Sequence, residues 1–518
     1  MRGFLVVTPV ADVTPAHVGQ LSADGRWRWD GTAWEPVAIG WTVPVWARPS
    51  TRFTVTSAAA ASALLIGLVV DQWIRTGTFG VAASLAFLIG AVAVVRVGRL
   101  ERVDSRVLVG GAALFACWFT VRASPWLLWP DLVAALSLLG IAASLAVRGS
   151  ILDLGAAELA ARGIQGLVQL AAGAGFVVRP LLKTRGRIAS AVPYLRGVLI
   201  AIPIAALVAG LLASADPVFA SFFNLNIDVG RLLLDVLFIA FGSLCAAGLL
   251  RLAASEPVDR VDGPAWRLGG TEALVVLAIL DAVFAAFAIA QVLAATGAAA
   301  DTLRSAGVTY ADYARSGFFQ LLWVSGITLA VLFLFSRISR FSNRRNALAF
   351  MVLAECAIAL TLMVDVVAFR RLSLYEEAYG FTMLRLYSHV FAVWVAVVFL
   401  LLAADFLGLW SRRRWFVGAT IGSALVVLLG LNFVNPEALV VAFNTNHAQT
   451  AHKIDSQYLA ELSSDATPAL LASRASLEQA LRSQVDQAAC AGPHTYSAPP
   501  AALNWSDAQA AAARRSGC

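Results

Sequence analysis

The sequence predicts an all-α fold, a polytopic transmembrane helical bundle of about eleven spans oriented N-in and C-out. Three observations predict it. Of 518 residues, 59% are hydrophobic and only 14% charged, against roughly 45–50% and about 25% in soluble domains. The mean hydropathy is +0.76. The apolar residues fall in long runs, each able to cross ~30 Å of hydrocarbon with some tilt. Together these exclude a soluble enzyme, a disordered chain and a secreted disulfide scaffold.

The runs lie at about 53–70, 77–95, 106–121, 125–147, 193–213, 229–250, 271–295, 317–336, 347–369, 384–407 and 416–433. Basic residues set their orientation. With the N-terminus inside, 26 of the 39 Lys and Arg residues fall on inside segments, eight in short outside loops and five in the tail. The net charge of +7 is thereby assigned to insertion, and no nucleic-acid partner is expected. Phe4–Val7 is too short an apolar run for a signal peptide. The expected location is a bacterial cytoplasmic membrane, crossed many times.

Five regions follow. Residues 1–52 form a cytoplasmic Trp-rich hairpin module and linker. Within it Asp30-Gly31 supplies a type I′ turn between aromatic-rich strands. This segment resembles the short Trp-Asp-Gly modules attached to actinobacterial membrane proteins. Residues 53–147 make a four-span N-terminal bundle. Residues 148–192 hold a cytoplasmic interfacial helix lying flat on the leaflet, with Glu158, Arg162, Gln165 and Gln169 as one polar stripe. Residues 193–433 make a seven-span core.

Residues 434–518 are an extracytoplasmic tail. Asn435-Pro436-Glu437 starts one helix, a second lies around 465–487, and the Pro/Ala-rich end after Cys490 is expected to be loose. Cys490 and Cys518 are the only cysteines outside the spans. In an oxidising compartment they form one candidate disulfide, with pairing between chains and free thiols as the alternatives.

Ionisable side chains inside spans are costly and are functional candidates by default. Asp131 and Asp235 lie about two turns from the outside ends of their spans, and Arg231, four residues earlier, is the expected partner of Asp235. Asp281 and Glu355 sit near mid-membrane with no basic partner. Asp365 and His389 fall at matching depths on consecutive spans and are expected to meet, either as a proton relay or as a structural hydrogen bond.

Seven of eight tyrosines fall on the outside. Tyr310, Asp312, Tyr313 and Arg315 precede one span. Tyr375, Glu376, Glu377, Tyr379 and Arg385 bridge two others, and Asp216 belongs to a third outside segment. Tyr, Arg and carboxylate together suit a polar head group or sugar, and equally a self-satisfied network closing the face.

At these residues a resemblance enters. Ala215-Asp216-Pro217-Val218-Phe219, the Tyr310–Phe318 segment, Tyr375–Arg385, Asn435-Pro436 and the Asp455–Leu470 segment resemble the bacterial polytopic membrane proteins of domain-of-unknown-function families 4153 and 4173, most closely the latter. The likeness covers roughly residues 190–475. It implies no activity, but it places every motif on one face.

Several chemistries lack their motifs. Glu376-Glu377 resembles the paired glutamates of intramembrane prenyl-protein proteases, but Phe381 stands where their arginine belongs. No cofactor motif and no metal site are found, since His447 and His452, five apart, face different ways. Three classes stay open, in this order. The first is an envelope protein binding a lipid, glycan or protein partner through the outer Tyr/Glu/Arg face. The second is a proton- or cation-coupled transporter using Asp281, Glu355, Asp365 and His389. The third is an enzyme acting on a lipid-linked substrate at Glu376, Glu377, Asp312 and Arg385.

Overall fold

The computed structural model describes residues 17–18, 20, 22, 27–36, 51–52, 57–147, 149–151, 154–183, 187–216, 219, 228–256, 268–295, 317–341, 343–409 and 414–518. The chain divides into two units, Met1–Arg48 and Pro49–Cys518. In the first, β1 (Trp27–Trp29) pairs antiparallel with β2 (Trp34–Pro36), Trp29 opposite Trp34. The connection is the four residues 30–33 rather than a two-residue type I′ turn. Asp30 is the reason. Its Oδ1 accepts the backbone N–H of Thr32 at 2.6 Å and of Ala33 at 2.7 Å, an Asx turn that competes with a tight hairpin. The same N–H groups, Ala33 first, hold its carboxyl below the usual aspartate range.

The second unit is helical. Its helical bundle comprises α1 (Ser57–Thr76), α2 (Val81–Gly98), α3 (Val103–Val121), α4 (Pro125–Ser144), α5 (Ala156–Lys183), α6 (Arg187–Ala215) and α7 (Val229–Ala254). It continues with α8 (Gly270–Ala295), α9 (Phe318–Ile338), α10 (Arg344–Tyr379), α11 (Met383–Phe406) and α12 (Trp415–Val434). Leu268–Gly269 and Ser339–Arg340 pair as a short parallel ribbon where α8 starts and α9 ends. A helix meets each of the eleven apolar runs. Among the described residues, nine helices are long and apolar enough to cross a membrane.

Among the described residues, two large apolar cores and smaller clusters beside them hold the bundle. One joins α2, α3 and α4 to the end of α7 through Phe115, Phe119, Leu138, Leu145 and Leu250. The other joins α8 to α11 through Leu277, Leu332, Phe399 and Leu402. Small residues let α7 approach its neighbours closely. A Cβ on Gly242 would lie 2.7 Å from the Cβ of Val70 in α1, and one on Gly173 would lie 2.6 Å from the backbone N of Gly248.

The polar stripe of α5 faces protein, not water. Glu158, Arg162, Gln165 and Gln169 are 6%, 3%, 2% and 0% exposed, whereas Leu167 is 67% exposed. The stripe satisfies helix ends whose carbonyls have no partner of their own. Arg162 donates to the carbonyl of Ser144, the last residue of α4, at 2.8 Å and pairs with Glu158 at 2.8 Å. Gln165 donates to Ser255 Oγ and to the Glu256 carbonyl, each at 3.1 Å. Arg251 donates to Gln169 at 2.7 Å. The side of α5 left over is apolar. Arg52 does related work at the end of α7, donating to the carbonyls of Ser255 at 3.0 Å and Ala253 at 2.7 Å.

The tail is folded to its end. It comprises α13 (Pro436–Ala451), α14 (Ser456–Ala460), α15 (Thr467–Ser473), α16 (Gln479–Cys490) and α17 (Trp505–Gly517), around Val441, Leu459, Leu470, Leu481 and Val485. The expectation of a loose end after Cys490 is corrected by α17. Asn504 caps α17 by accepting from Ser506 N at 2.9 Å, and its Nδ2 donates to the Arg122 carbonyl at 2.8 Å. Cys490 and Cys518 are joined, with Cα atoms 5.9 Å apart.

Candidate functional site at the tail-bearing end

The end of the bundle that carries the tail gathers one cluster of buried polar side chains, with Glu376, Asn432, Glu437, Asp465 and Asn504 among them. The Asp455–Leu470 segment supplies the contacts that seat the tail. Asp455 caps α14. Tyr458 Oη accepts the N–H of Met383 at 2.6 Å, at the start of α11. Ser463 donates from its backbone N–H at 2.8 Å and its hydroxyl at 2.6 Å to Glu437 Oε2. Asp465 accepts from Ala123 N, Ser124 N and Ser506 Oγ at 3.1, 2.9 and 2.5 Å. Asn435, in the left-handed region at φ 59°, caps α13 and donates to the Asp465 carbonyl. Burial pushes the Glu437 carboxyl up, against the Ser124 and Ser463 donors that lower it.

Beside this seat, α10 runs ten residues beyond the expected end of its span. Its 36 residues extend ~54 Å at 1.5 Å per residue, well over the hydrocarbon thickness. That extension moves the partners of His389. Asp365 and His389 do not pair. Asp365 Oδ1 instead accepts from Ser325 Oγ of α9 at 2.5 Å. The turn into α11 is short and centred near residue 381, so His389 lies level with the last two turns of α10. There its Nδ1 lies 3.1 Å from Glu376 Oε1, and its Nε2 lies 3.2 Å from Ser373 Oγ. The Phe369 ring stands edge-on to the imidazole at 4.3 Å. Ser373 was not legible as a site residue, because the apolar run ends at 369.

The two adjacent glutamates separate. Glu376 turns inward and is 3% exposed, while Glu377 faces out. Tyr379 is exposed and packs against Tyr375. The Arg385 guanidinium lies over the Tyr375 ring at 4.3 Å, and its Nη1 donates to the carbonyls of Tyr379 and Gly380. Asn444 of the tail clamps Phe381, accepting its N–H at 2.8 Å and donating to its carbonyl at 2.9 Å. Asp216 is exposed after the last turn of α6. Tyr310, Asp312, Tyr313 and Arg315 lie outside the described residues.

Deeper in the bundle, Asp131 accepts from Asn432 Nδ2 at 2.8 Å. Asp235 pairs with Arg75 of α1, not with Arg231, and Arg75 also meets Asp71 at 3.1 Å. The close α1–α7 crossing brings that cation nearer than the one on its own helix. Both carboxylate oxygens of Asp281 and one of Glu355 are buried without a hydrogen-bond partner. Each of these acids lies eleven residues into its helix.

A cavity of about 740 Å³ lies between α1, α2, α4, α5 and α7. Its walls are apolar, with Phe87, Leu136 and Phe241 among them, and Ser144 and Arg162 stand at its polar limit. Gly90, Gly140 and Gly163 line it, and a Cβ on any of them would meet open space.

A family model described as domain of unknown function (DUF4153) matches residues 109–473. The match begins within α3, earlier than the sequence likeness suggested, and runs through the Asp465 motif to the last residue of α15. It is to the first of the two families the motifs resemble, and the finer placement nearer the second rests on those motifs alone. No curated protein and no solved structure matches the chain. With some seven-tenths of its length inside the match, this chain belongs to the DUF4153 family, of unknown function, and the matched stretch runs from within α3 through α12 to the Asp465 contacts of the tail.

Proposed function

We propose that the chain is an envelope protein of a bacterial cytoplasmic membrane that binds a membrane lipid. The carrying observation is the 740 Å³ cavity with apolar walls and a single charged limit at Arg162, within the roughly 300–1,000 Å³ range of ligand sites. One acyl chain of an amphiphile suits such a space. The exposed Glu377 and Tyr379 beside the fixed Arg385 support a second contact, with a head group, glycan or protein partner, at the face that carries the tail.

Native mass spectrometry of the detergent-purified protein tests the reading. Lipid should co-purify with the wild type and be lost from Gly140→Leu, at a cavity-lining position where an added side chain meets open space. Retention equal to wild type in Gly140→Leu rejects the cavity as the site.

The transporter reading keeps one supporting observation, the buried oxygens without a hydrogen-bond partner, both of Asp281 and one of Glu355. It expects a proteoliposome proton flux that disappears in Asp281→Asn, and the absence of flux in the wild type removes it.

A further inference from the structure

We propose that Ser373, His389 and Glu376 form a nucleophile–base–acid relay that cleaves an acyl ester of a membrane amphiphile at the tail-bearing face. The substrate class rests on the lipid-binding reading above. The chemistry rests on its own geometry.

The order of contacts is Ser373 Oγ, 3.2 Å, His389 Nε2, then His389 Nδ1, 3.1 Å, Glu376 Oε1. Such a constellation is recognised by geometry and roles, not by sequence order or fold. A carboxylate beside Nδ1 favours the tautomer that carries its proton there, with Nε2 as the acceptor that faces the serine hydroxyl. Glu376 Oε1 lies at ion-pair distance without an aligned hydrogen bond, and contacts of this kind tighten when substrate binds. The imidazole plane is held edge-on by Phe369.

A purely structural account explains only part of this. The Ser373 hydroxyl can also donate to the Phe369 carbonyl one turn back, at 3.1 Å, as helical serines commonly do. That bond needs no histidine. It does not account for both ring nitrogens of His389 meeting a nucleophile and an acid three residues apart on one helix.

The surroundings suit an interfacial ester. Phe369, Leu374 and Leu384 are exposed apolar side chains around the relay, while Glu377 and Tyr379 are exposed one turn further along α10. An acyl chain can therefore approach from the hydrocarbon side and water from the other. Arg385 stands one turn from His389 on α11, already held through Nη1 by two carbonyls, a fixed cation of the kind a developing oxyanion requires.

The reaction balances without a cofactor. Ser373 Oγ attacks the ester carbonyl and its proton passes to His389 Nε2. The C–O bond to the alcohol breaks, and the alcohol leaves with that proton. Water then attacks the acyl-serine, His389 takes a proton from it, and the fatty acid departs as Ser373 Oγ recovers the proton. Ser373 and His389 are the catalytic residues. Glu376 is a positioning residue that acts through His389.

The test is labelling of the purified full chain with a fluorophosphonate, with the adduct mapped by mass spectrometry, alongside turnover of long-chain p-nitrophenyl esters. The expected results are an adduct on Ser373 that is absent in Ser373→Ala, and ester turnover about a hundredfold lower or more in His389→Gln. Glu376→Gln should lower kcat and displace the acidic limb of the pH–rate profile, a change that a packing role alone would not produce. Glycerophospholipid and acylated sugar, as separate substrates, identify the ester by which one releases fatty acid. An adduct that persists in Ser373→Ala overturns the proposal, and so does the joint absence of adduct and turnover in the wild type. If lipid still co-purifies in that case, the binding reading survives without the relay. An adduct on Ser373 with no co-purifying lipid supports the relay and removes the cavity reading.

Discussion

Asp465 accepts the backbone N–H of Ser124 at 2.9 Å, across 341 residues of chain. With the Asn504 bond to the Arg122 carbonyl, it ties the tail to the turn between α3 and α4. The same carboxylate holds Ala123 N and Ser506 Oγ, and its side chain is fully buried. Removing it strands three donors, each at a cost of about 1–3 kcal/mol when buried and unpaired. Asp465→Ala should therefore release the tail from the bundle. Limited proteolysis should cut the tail at least tenfold faster than in the wild type, and unchanged cleavage would show that the seat depends on other contacts.

The Cys490–Cys518 link closes 28 residues of chain. A cross-link of that loop length is worth about 3–4 kcal/mol in the chain-entropy account. Reduction, or Cys490→Ser, should lower the unfolding temperature of the tail and expose residues 491–504 to protease. The helices of the bundle should keep their circular dichroism. Loss of bundle helicity on reduction would contradict this division of labour.

Glu437 makes the seat pH-sensitive in a definite direction. Its folded carboxyl is raised by burial above the ordinary glutamate value of about 4.3. The native tail therefore holds that proton more tightly than the unfolded chain does. Its contribution is fully present below about pH 4.3 and is lost as pH rises through the folded value. Relative to Glu437→Gln, the wild type should lose stability as pH climbs through that window. A difference that grows in the opposite direction would assign the shift to another group.

Arg162 sits 3% exposed between Glu158 and the last carbonyl of α4. Arg162→Met leaves a buried carboxylate short of its closest cation and should cost about 3–5 kcal/mol. Arg162→Met combined with Glu158→Leu should recover much of that loss, because the uncompensated charge goes too. Thermal melts of the three variants in detergent check the order, and equal melts for single and double variants would exclude a charge effect.

Legibility differed between regions for physical reasons. The spans were readable because twenty or so apolar residues in a row have one stable setting. The end of α10 was not, because the helix continues past its apolar run through Arg370, Arg371 and Ser373. Hydropathy stops at the membrane boundary while backbone hydrogen bonding does not. From that one difference followed the mistaken Asp365–His389 pairing and the silence about Ser373. The α5 stripe was readable as a stripe, but its direction was not, since an amphipathic pattern is the same whether its polar side meets water or helix ends.

Composition and periodicity by themselves determined the all-α class and the helices that meet the apolar runs. Those are local quantities, set by side-chain hydropathy and repeat. Tertiary structure alone decided which side chains meet: His389 with Glu376 and Ser373, Asp235 with Arg75, Asp465 with Ser124. Such pairings depend on helix length, crossing position and rotation, and each residue of helix turns its side chain by ~100° and advances it ~1.5 Å. A boundary misplaced by ten residues therefore leaves the fold class intact and reassigns every partner near it.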